Sequence, residues 1–382
     1  MKVGVVGIGH GKFGRRSDAT VQELACEPFR DALMDAGGIS RNDIDFLSVG
    51  SSPEYHKQRS LPGVIAEYLG MNPQSTWLTE AACASGSAAI RTAYMAIKSG
   101  MHEIVAVIGV QKMTELTTPE ILALMGRVGD VQWESIFGTT FPGYYAMYAT
   151  RHMYEFGTTK EQMAMVAVKN HHYGALNPQA MFQKEVTIER CLSSEKVAYP
   201  LNVFDCCANA DGAACIIMAN EKKAKKLNDT PIWIDGVGSA SAQMSVLRRP
   251  HFIGIPSTVE ASKQAYKQAG IKPEDVQVAE VHDCFTIAEL MAYEDLGFCK
   301  KGEGGKFIEN KQSYIGGKTP VNVDGGLKAK GHPVGATGVS MTAEIVKQLR
   351  GQAGKRQVNA EIGLTHNVGG IGQYCFVHIY RR

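Results

Sequence analysis

Residues 322–338 read Asn322-Val-Asp-Gly-Gly-Leu-Lys-Ala-Lys-Gly-His-Pro-Val-Gly-Ala-Thr-Gly338, a run of glycines and small residues around one imidazole. Glycine lets the backbone adopt left-handed conformations and lets a ligand come close to it. The residues that follow have helical spacing, so we expect His332 near the start of a helix. A histidine in such a loop is free to act as a base or as a hydrogen-bond donor. A lone surface histidine is the alternative, and the density of glycine disfavours it.

A second small-residue stretch, Glu80-Ala-Ala-Cys-Ala-Ser-Gly-Ser87, surrounds Cys83. Its composition predicts a tight turn from a strand into a helix, with space for a bulky ligand. The helix would direct its N-terminal N–H groups and the positive end of its dipole at the sulfur. We therefore expect a lowered pKa for the Cys83 thiol and a larger thiolate fraction. A buried structural cysteine is the alternative, and the local sequence does not decide between the two.

The segment His282-Asp-Cys-Phe285 follows the buried run VQVAEV directly. Residues just beyond the carboxyl end of a strand are where α/β folds place their ligands. His282 and Cys284 are two apart, so in an extended segment they share a face. Metal binding by the histidine, aspartate and cysteine is the rival interpretation, and it lacks a second ligand cluster.

A further candidate is Thr365-His-Asn-Val-Gly-Gly370, which we interpret as a glycine turn before the final strand. Its backbone N–H groups suit an anion site, and a plain β-turn is equally consistent with the sequence.

The segment Gly9-His-Gly-Lys-Phe-Gly14 matches the GxGxxG pattern of dinucleotide-binding turns. These glycines do not open a helix directly, and the strand that follows, FLSVGSS, lacks the ribose-binding carboxylate. Nicotinamide binding is therefore disfavoured, and we expect no bound cofactor.

Short apolar runs alternate with helical spacing, which predicts an α/β fold with strands near residues 3–8, 44–50, 103–110, 213–219, 277–281 and 374–380. Three segments of the first half recur in the same order in the second half. We therefore predict two similar units, residues 1–220 and 231–382, joined by the charged segment NEKKAKKLNDTP. Residues 112–205 have no counterpart in the second unit and are predicted to form an inserted helical loop domain, either a lid that shapes the substrate site or a cap over a sheet face.

The composition excludes several classes of protein. The 382 residues carry a net charge of +2, which gives no basis for a nucleic-acid or membrane-surface partner. The 9 cysteines are scattered and form no CxxC pair, so neither a disulfide framework nor a structural zinc site is predicted. We found no secretory signal, lipidation motif or membrane span and expect a cytoplasmic protein.

Taken together, these segments resemble the thiolase family along nearly the whole chain. The Cys83 loop, NPQAMFQKEVT, DCCANADGAA, HDCF and NxxGGxxxxGHPxGATG all fit the family, and the last motif is highly specific. The sterol-carrier-protein-type thiolases and their archaeal relatives carry HDCF where conventional thiolases have Asn-Glu-Ala-Phe. The late Cys-x-Gly motif of conventional thiolases is replaced by Asn367-Val-Gly369, so the resemblance implies that Cys284 takes over from the missing cysteine.

The resemblance implies a thiolase fold with layers in the order α-β-α-β-α. It also implies that Cys83 is the nucleophile, activated by His332, and that Cys284 is the acid/base. His282 and His332 would donate to an enolate oxygen, and the N–H groups of Cys83 and Gly369 would form a second oxyanion hole.

The implied reaction is the reversible condensation of two acetyl-CoA molecules to acetoacetyl-CoA, a step of the mevalonate pathway, with coenzyme A thioesters as substrates and no metal. Implied partners are a second copy in a homodimer or dimer of dimers. A complex with 3-hydroxy-3-methylglutaryl-CoA synthase, bridged by a zinc-ribbon/OB-fold protein, is also implied.

Other functions remain open at this stage. A 3-ketoacyl-CoA thiolase of broader chain length is one, and a non-catalytic scaffold that binds acyl-CoA is another. A retro-aldolase of the same fold is disfavoured by the presence of Cys83, and a decarboxylating ketosynthase by the presence of Cys284.

Overall fold

The computed structural model describes all residues from 1 to 382. Its strands are β1 (Val3–His10), β2 (Phe46–Gly50), β3 (Ser75–Thr79), β4 (Ile104–Gln111), β5 (Lys196–Ala198), β6 (Leu201–Asn202), β7 (Gly212–Asn220), β8 (Ile232–Ser241), β9 (Val278–Val281), β10 (Ile362–Gly369) and β11 (Tyr374–Arg381). Its α-helices are α1 (Cys26–Asp35), α2 (Leu61–Tyr68), α3 (Ser85–Lys98), α4 (Thr118–Met125), α5 (Phe141–Phe156), α6 (Lys160–Ala175), α7 (Ile188–Leu192), α8 (Glu221–Leu227), α9 (Pro256–Ala269), α10 (Thr286–Asp295), α11 (Gly304–Glu309) and α12 (Thr337–Arg350).

Nine strands are hydrogen-bonded in the order β3-β2-β4-β7-β1-β8-β11-β10-β9. The order β2-β4-β7-β1 of the first half recurs as β9-β10-β11-β8 in the second, with one parallel pair followed by two antiparallel pairs in each. The halves meet where β1 and β8 pair antiparallel over only two residue pairs. The predicted repetition of the α/β unit is therefore confirmed.

The core shows the predicted five layers. Apolar side chains of α3 and α12 pack in one cluster with residues of both halves of the sheet, so these two helices form the middle layer. Helices α1 and α2 cover the outer face of the first half, and α9 and α10 cover that of the second half. Burial of this apolar surface is the main stabilising contribution to such a layered fold.

The segment 112–205 contains α4 to α7 and the short β5–β6 hairpin. Its helix α6 packs against α7, α10, α11 and the segment Gly326–Lys330, so the insertion covers the loop that precedes His332. The segment joining the two halves, predicted as a polar linker, forms α8, whose Ala224 is buried against the first half.

Strands β3, β5, β6, β8 and β10 were not predicted. Residues 365–369, interpreted above as part of a turn, form the end of β10, so that interpretation is wrong for them. The polar side chains of Thr365, His366 and Asn367 hid the strand, although all three are buried. The turn itself begins at Gly370, which has a positive φ of 62°.

The GxGxxG segment has a packing role. Gly9 lies inside β1, and a Cβ there would clash with the carbonyl of Pro28 in α1. A glycine is needed at position 9 because α1 and β1 approach each other closely there. None of the helices contains an apolar stretch that could span a lipid bilayer.

Candidate active site

Cys83 lies at a sharp turn between β3 and α3. Ala82, just before it, has a left-handed φ of 50°, a backbone conformation that residues other than glycine rarely adopt. The turn is held by hydrogen bonds from the Ala82 N–H to Glu80 (2.6 Å) and from the Ala81 N–H to the Ser85 hydroxyl (2.9 Å). The strained backbone presents the Cys83 sulfur at the N-terminal end of α3, as the small residues predicted, in a position that is almost fully buried.

His332 lies at the end of the glycine-rich loop, five residues before α12. Its Nδ1 is 2.7 Å from the hydroxyl of Thr337, and that hydroxyl donates to the Pro333 carbonyl at 3.1 Å. Because the threonine proton is engaged with the carbonyl, the imidazole must donate from Nδ1. Neutral His332 therefore carries a lone pair on Nε2, which is buried and has no hydrogen-bond partner.

Two glycines allow the ends of α3 and α12 to approach each other. A Cβ on Gly86 would lie 2.8 Å from the Gly335 carbonyl, and one on Gly338 would clash with the backbone of Ser87. Any larger residue would force the helix ends apart. This close approach brings Cys83 of one half beside His332 of the other.

His282 has the opposite tautomer. Asn367 donates from Nδ2 to its Nδ1 at 3.1 Å and also to the Cys83 carbonyl at 3.1 Å, and the second bond fixes which way the amide faces. Since Nδ1 of His282 accepts, the proton of the neutral ring is on Nε2, which is buried without a partner. The site therefore contains one imidazole acceptor and one imidazole donor.

These groups converge. The Cys83 sulfur and the facing nitrogens of His282 and His332 all lie within 4.8 Å of one another. The two imidazole rings meet edge to face, with centroids 5.2 Å apart. A cysteine and two histidines also suit zinc, although the rival interpretation placed the metal on His282, Asp283 and Cys284. However, His282 presents an N–H to this space, and a metal requires a lone pair.

Cys284 is buried in the same apolar cluster as Cys83 and stands outside the group of three. Its carbonyl accepts a hydrogen bond from the Cys207 N–H at 2.9 Å. Burial raises the pKa of the Cys284 thiol well above its usual value, the neighbouring Cys207 adds to this, and a hydrogen bond from Tyr145 lowers it. Once ionised, such a sulfur is a strong base.

The expected thiolate at Cys83 is not supported. Burial raises the pKa of Cys83 to about 12, although the N–H groups of Gly370 and of Cys83 itself oppose the shift. Burial and the nearby Lys330 lower the pKa of His332 to about 3. Desolvation thus outweighs the helix terminus, and a neutral thiol faces a neutral imidazole at physiological pH.

Two backbone N–H groups lower the pKa of the Cys83 thiol, that of Gly370 and that of Cys83 itself. Gly369 lies one residue earlier, packed against the carbonyl of Ala81. The role of Gly369 in an oxyanion hole stays a prediction.

The sequence interpretation missed the residues that set the two tautomers, Thr337 and Asn367. It also missed the role of His366, whose Nδ1 accepts from the His282 N–H at 3.5 Å. Only Asn367 carried a signal, because it stands where the family has a cysteine.

A cavity of about 1020 Å³ lies next to this site, although none of Cys83, His282, Cys284 and His332 lines it. Phe285 and Cys207, next to Cys284 in chain or space, line it, together with apolar residues of the insertion such as Met125 and Phe182. It also carries four cations, Lys12, Lys184, Arg190 and Lys328. A long ligand with an anionic part is the kind of molecule that such a cavity accommodates.

A layered fold of two repeated halves, with a buried cysteine facing an acceptor imidazole and a donor imidazole, defines a cysteine-dependent acyltransferase. Comparison with known families gives the particular family. The model of the thiolase N-terminal domain matches residues 3–199, and that of a thiolase C-terminal-like domain matches residues 238–382. The chain belongs to the thiolase family.

Several relatives are similar over their whole length. An acetyl-CoA acetyltransferase of Methanothermobacter thermautotrophicus is 44% identical, with 100% of this chain and 99% of the relative covered. One of Methanocaldococcus jannaschii is 40% identical, with coverage of 99% and 98%. A solved structure described as an Ltp2-ChsH2(DUF35) aldolase is 26% identical, with a TM-score of 0.86 and coverage of 99% and 97%.

Proposed function

We propose that this chain is an acetyl-CoA C-acetyltransferase that condenses two acetyl-CoA molecules to acetoacetyl-CoA and catalyses the reverse cleavage. The observation that carries the proposal is the convergence of the Cys83 sulfur with His282 and His332 within 4.8 Å. The names of the two archaeal relatives, similar over their full length, support the same activity.

In the first half-reaction, the Cys83 sulfur attacks the thioester carbonyl of acetyl-CoA while its proton passes to Nε2 of His332. The tautomer of His332 suits this role because Nε2 holds the lone pair. Coenzyme A leaves as a thiolate and takes the proton of Cys284. The products are acetyl-Cys83, a protonated His332 and an ionised Cys284.

In the second half-reaction, ionised Cys284 removes a proton from the methyl group of a second acetyl-CoA. The enolate oxygen accepts hydrogen bonds from Nε2–H of His282 and of protonated His332. The enolate carbon attacks acetyl-Cys83, and Cys83 leaves and recovers its proton from His332. All protons are then back in place, and the high pKa of Cys284 suits removal of a proton from carbon.

We propose that the cavity of about 1020 Å³ holds the pantetheine arm and nucleotide of coenzyme A. Its apolar walls suit the arm, and its four cations suit the phosphates. Its lining by Phe285 and Cys207 would bring the thioester beside Cys284.

Edge strand β3 supports the proposal of a homodimer. It pairs only with β2, its side chains are partly exposed, and Trp77 is 45% exposed. An unpaired edge of this kind is a template for pairing with a second copy.

We further propose a cytoplasmic complex in the mevalonate pathway, with 3-hydroxy-3-methylglutaryl-CoA synthase and a zinc-ribbon/OB-fold protein. Its support is the DUF35 component in the name of one structural relative. Separate elution of the co-expressed proteins in gel filtration would count against it.

The activity is tested by a steady-state assay with acetoacetyl-CoA and coenzyme A. We expect turnover by the wild type and loss of turnover in both Cys83→Ala and Cys284→Ala, with folding retained. A folded wild type without turnover and without an acetyl adduct would favour the scaffold alternative. A series of longer 3-ketoacyl-CoA substrates tests the alternative of broader chain length.

A further inference from the structure

Tyr145 lies in the first turns of α5, in the inserted segment, and its side chain is fully buried. Its ring stacks on that of Phe285, the residue after Cys284, with centroids 4.5 Å apart and planes inclined by 22°. The rings of Phe141 and Tyr148 also lie against the Tyr145 ring, with centroid distances of 5.4 and 5.7 Å. Aromatic rings on several sides thus hold Tyr145 in one position beside the candidate base.

The hydroxyl of Tyr145 lies near both reactive cysteines. It donates to the Gly370 carbonyl at 3.3 Å, a long bond. Burial and the neighbouring Cys284 sulfur raise the pKa of Tyr145 well above its usual value, and Cys83 adds to the shift. The N–H of the same Gly370 lowers the pKa of the Cys83 thiol. The phenol therefore lies beside the candidate base, and the carbonyl that it bonds belongs to the residue whose N–H acts on the candidate nucleophile.

A hydroxyl in an apolar cluster has to be satisfied by a partner, and a phenylalanine would fill this space without that requirement. In the resting site, where Cys284 is a thiol, the only strong acceptor nearby is the Gly370 carbonyl. When Cys284 ionises, its sulfur becomes a charged acceptor. A hydrogen bond to a charged group is about twice as strong as a neutral one, so rotation of the O–H toward the sulfur is then favoured.

We propose that Tyr145 is a positioning residue for the acid/base cysteine: its hydroxyl bonds the Gly370 carbonyl while Cys284 is protonated and donates to the Cys284 sulfur while it is ionised. Tyr145 keeps its own proton throughout, and the proton from the substrate methyl group goes to Cys284. The inference rests on the proposed function and extends it. It assigns to α5 of the insertion a direct part in stabilising the base.

The other ionisable groups near Cys284 disfavour its ionisation, whichever acceptor the Tyr145 hydroxyl bonds. Burial raises the pKa of Cys284 most, Cys207, Cys83 and Asp283 raise it further, and Tyr145 lowers it. Removal of the phenol oxygen should therefore raise the pKa of Cys284 and reduce the fraction ionised at every pH below that value.

The test uses Tyr145→Phe in the full-length enzyme, with Tyr148→Phe as the matched control. Tyr148 is in the same helix and its hydroxyl donates to the next carbonyl of the same turn, that of Ile371, at 3.0 Å. Two quantities are measured by mass spectrometry: wash-in of deuterium from D₂O into the methyl group of acetyl-CoA, and the level of acetyl-Cys83.

In Tyr145→Phe we expect methyl wash-in to slow by about 10- to 100-fold, the loss of a hydrogen bond to a charged group. The level of acetyl-Cys83 should be unchanged, and the pH profile of wash-in should shift to higher pH. Tyr148→Phe should match the wild type in each respect. Wash-in within about two-fold of wild type would overturn the proposal, as would an equal loss of wash-in and acetylation, which indicates a structural role. A wild type that never acetylates Cys83 refutes the proposed function instead, so the two failures are distinguishable.

Discussion

The side-chain amide of Asn367 donates to the carbonyl of Cys83 and to Nδ1 of His282, at 3.1 Å in each case. One residue of β10 thus connects the turn that carries the candidate nucleophile with the imidazole that faces it. It also fixes the proton of His282 on the nitrogen directed into the site. The division of roles between the two imidazoles follows from this pair and from the Thr337 hydroxyl beside His332.

Asn367→Asp tests the tautomer of His282. A carboxylate at this position accepts a hydrogen bond, so it would draw the imidazole proton to Nδ1 and leave Nε2 without a donor. We expect kcat to fall by about 10²- to 10³-fold, as for loss of an oxyanion-hole donor. Thiolysis of acetoacetyl-CoA measures this, and activity close to that of the wild type would mean that His282 does not donate from Nε2.

Thr337→Val removes the acceptor for Nδ1–H of His332. The ring is then free to rotate or to change tautomer, and we expect acetylation of Cys83 to slow by about 10- to 100-fold. Rapid-quench mass spectrometry with acetyl-CoA follows this step. Thr342→Val is the control, since Thr342 lies in the same helix and bonds Gly338 and Tyr380 instead. Equal effects of the two substitutions would argue against the predicted role of Thr337.

The pH dependence of acetylation follows from the two shifted pKa values. The reactive pair is a protonated Cys83 and a neutral His332. The raised pKa of Cys83, about 12, and the lowered pKa of His332, about 3, keep both in that form across the intermediate range. We expect single-turnover acetylation to be nearly constant between about pH 5 and 9. A sigmoidal rise with a midpoint near neutrality would instead indicate a standing thiolate–imidazolium pair.

Gly86→Ala tests the packing that joins the two halves. The added methyl group would lie 2.8 Å from the Gly335 carbonyl, so α3 and α12 must separate. We expect the free energy of unfolding to fall by about 1–3 kcal/mol and activity to fall further, because Cys83 and His332 move apart. Gly63→Ala in α2 is the control, with nothing within 4 Å of the new Cβ. Urea unfolding and the thiolysis assay measure both effects, and a fully active Gly86→Ala would be inconsistent with this packing argument.

Metal removal distinguishes the acyltransferase site from a zinc site built on the same three residues. Because His282 presents an N–H to the sulfur, we expect prolonged treatment with a chelator to leave thiolysis unchanged. Elemental analysis of the purified protein should show less than stoichiometric zinc. Loss of activity on chelation, with recovery on added zinc, would assign the site to the metal.

Much of this site was accessible from the sequence because its loops have distinctive local chemistry. Cys83 and His332 were expected at helix starts from the small residues around them, and α3 and α12 begin two and five residues later. The repeated order of segments predicted the two halves. Strand β10 was missed because Thr365, His366 and Asn367 are polar, and their burial depends on partners in distant segments.

The tertiary arrangement was less accessible. The raised pKa of Cys83 depends on how completely the other half covers it, and no local pattern reports that. The tautomers depend in the same way on Asn367, from a distant strand, and on Thr337. Tyr145 could not be connected with Cys284 from sequence, since α5 belongs to the insertion and reaches the site only by folding over the second half.

The central claim is that Cys83 carries the acyl group while Cys284 moves protons. Peptide mapping by mass spectrometry of Cys284→Ala after incubation with acetyl-CoA tests it most directly. We predict an acetyl group on Cys83 alone. Coenzyme A can leave as a thiolate and take its proton from solvent when Cys284 is absent, and the adduct accumulates because the second half-reaction lacks its base. An acetyl group on Cys207 or another cysteine, or no adduct at all in a folded enzyme, would contradict the account.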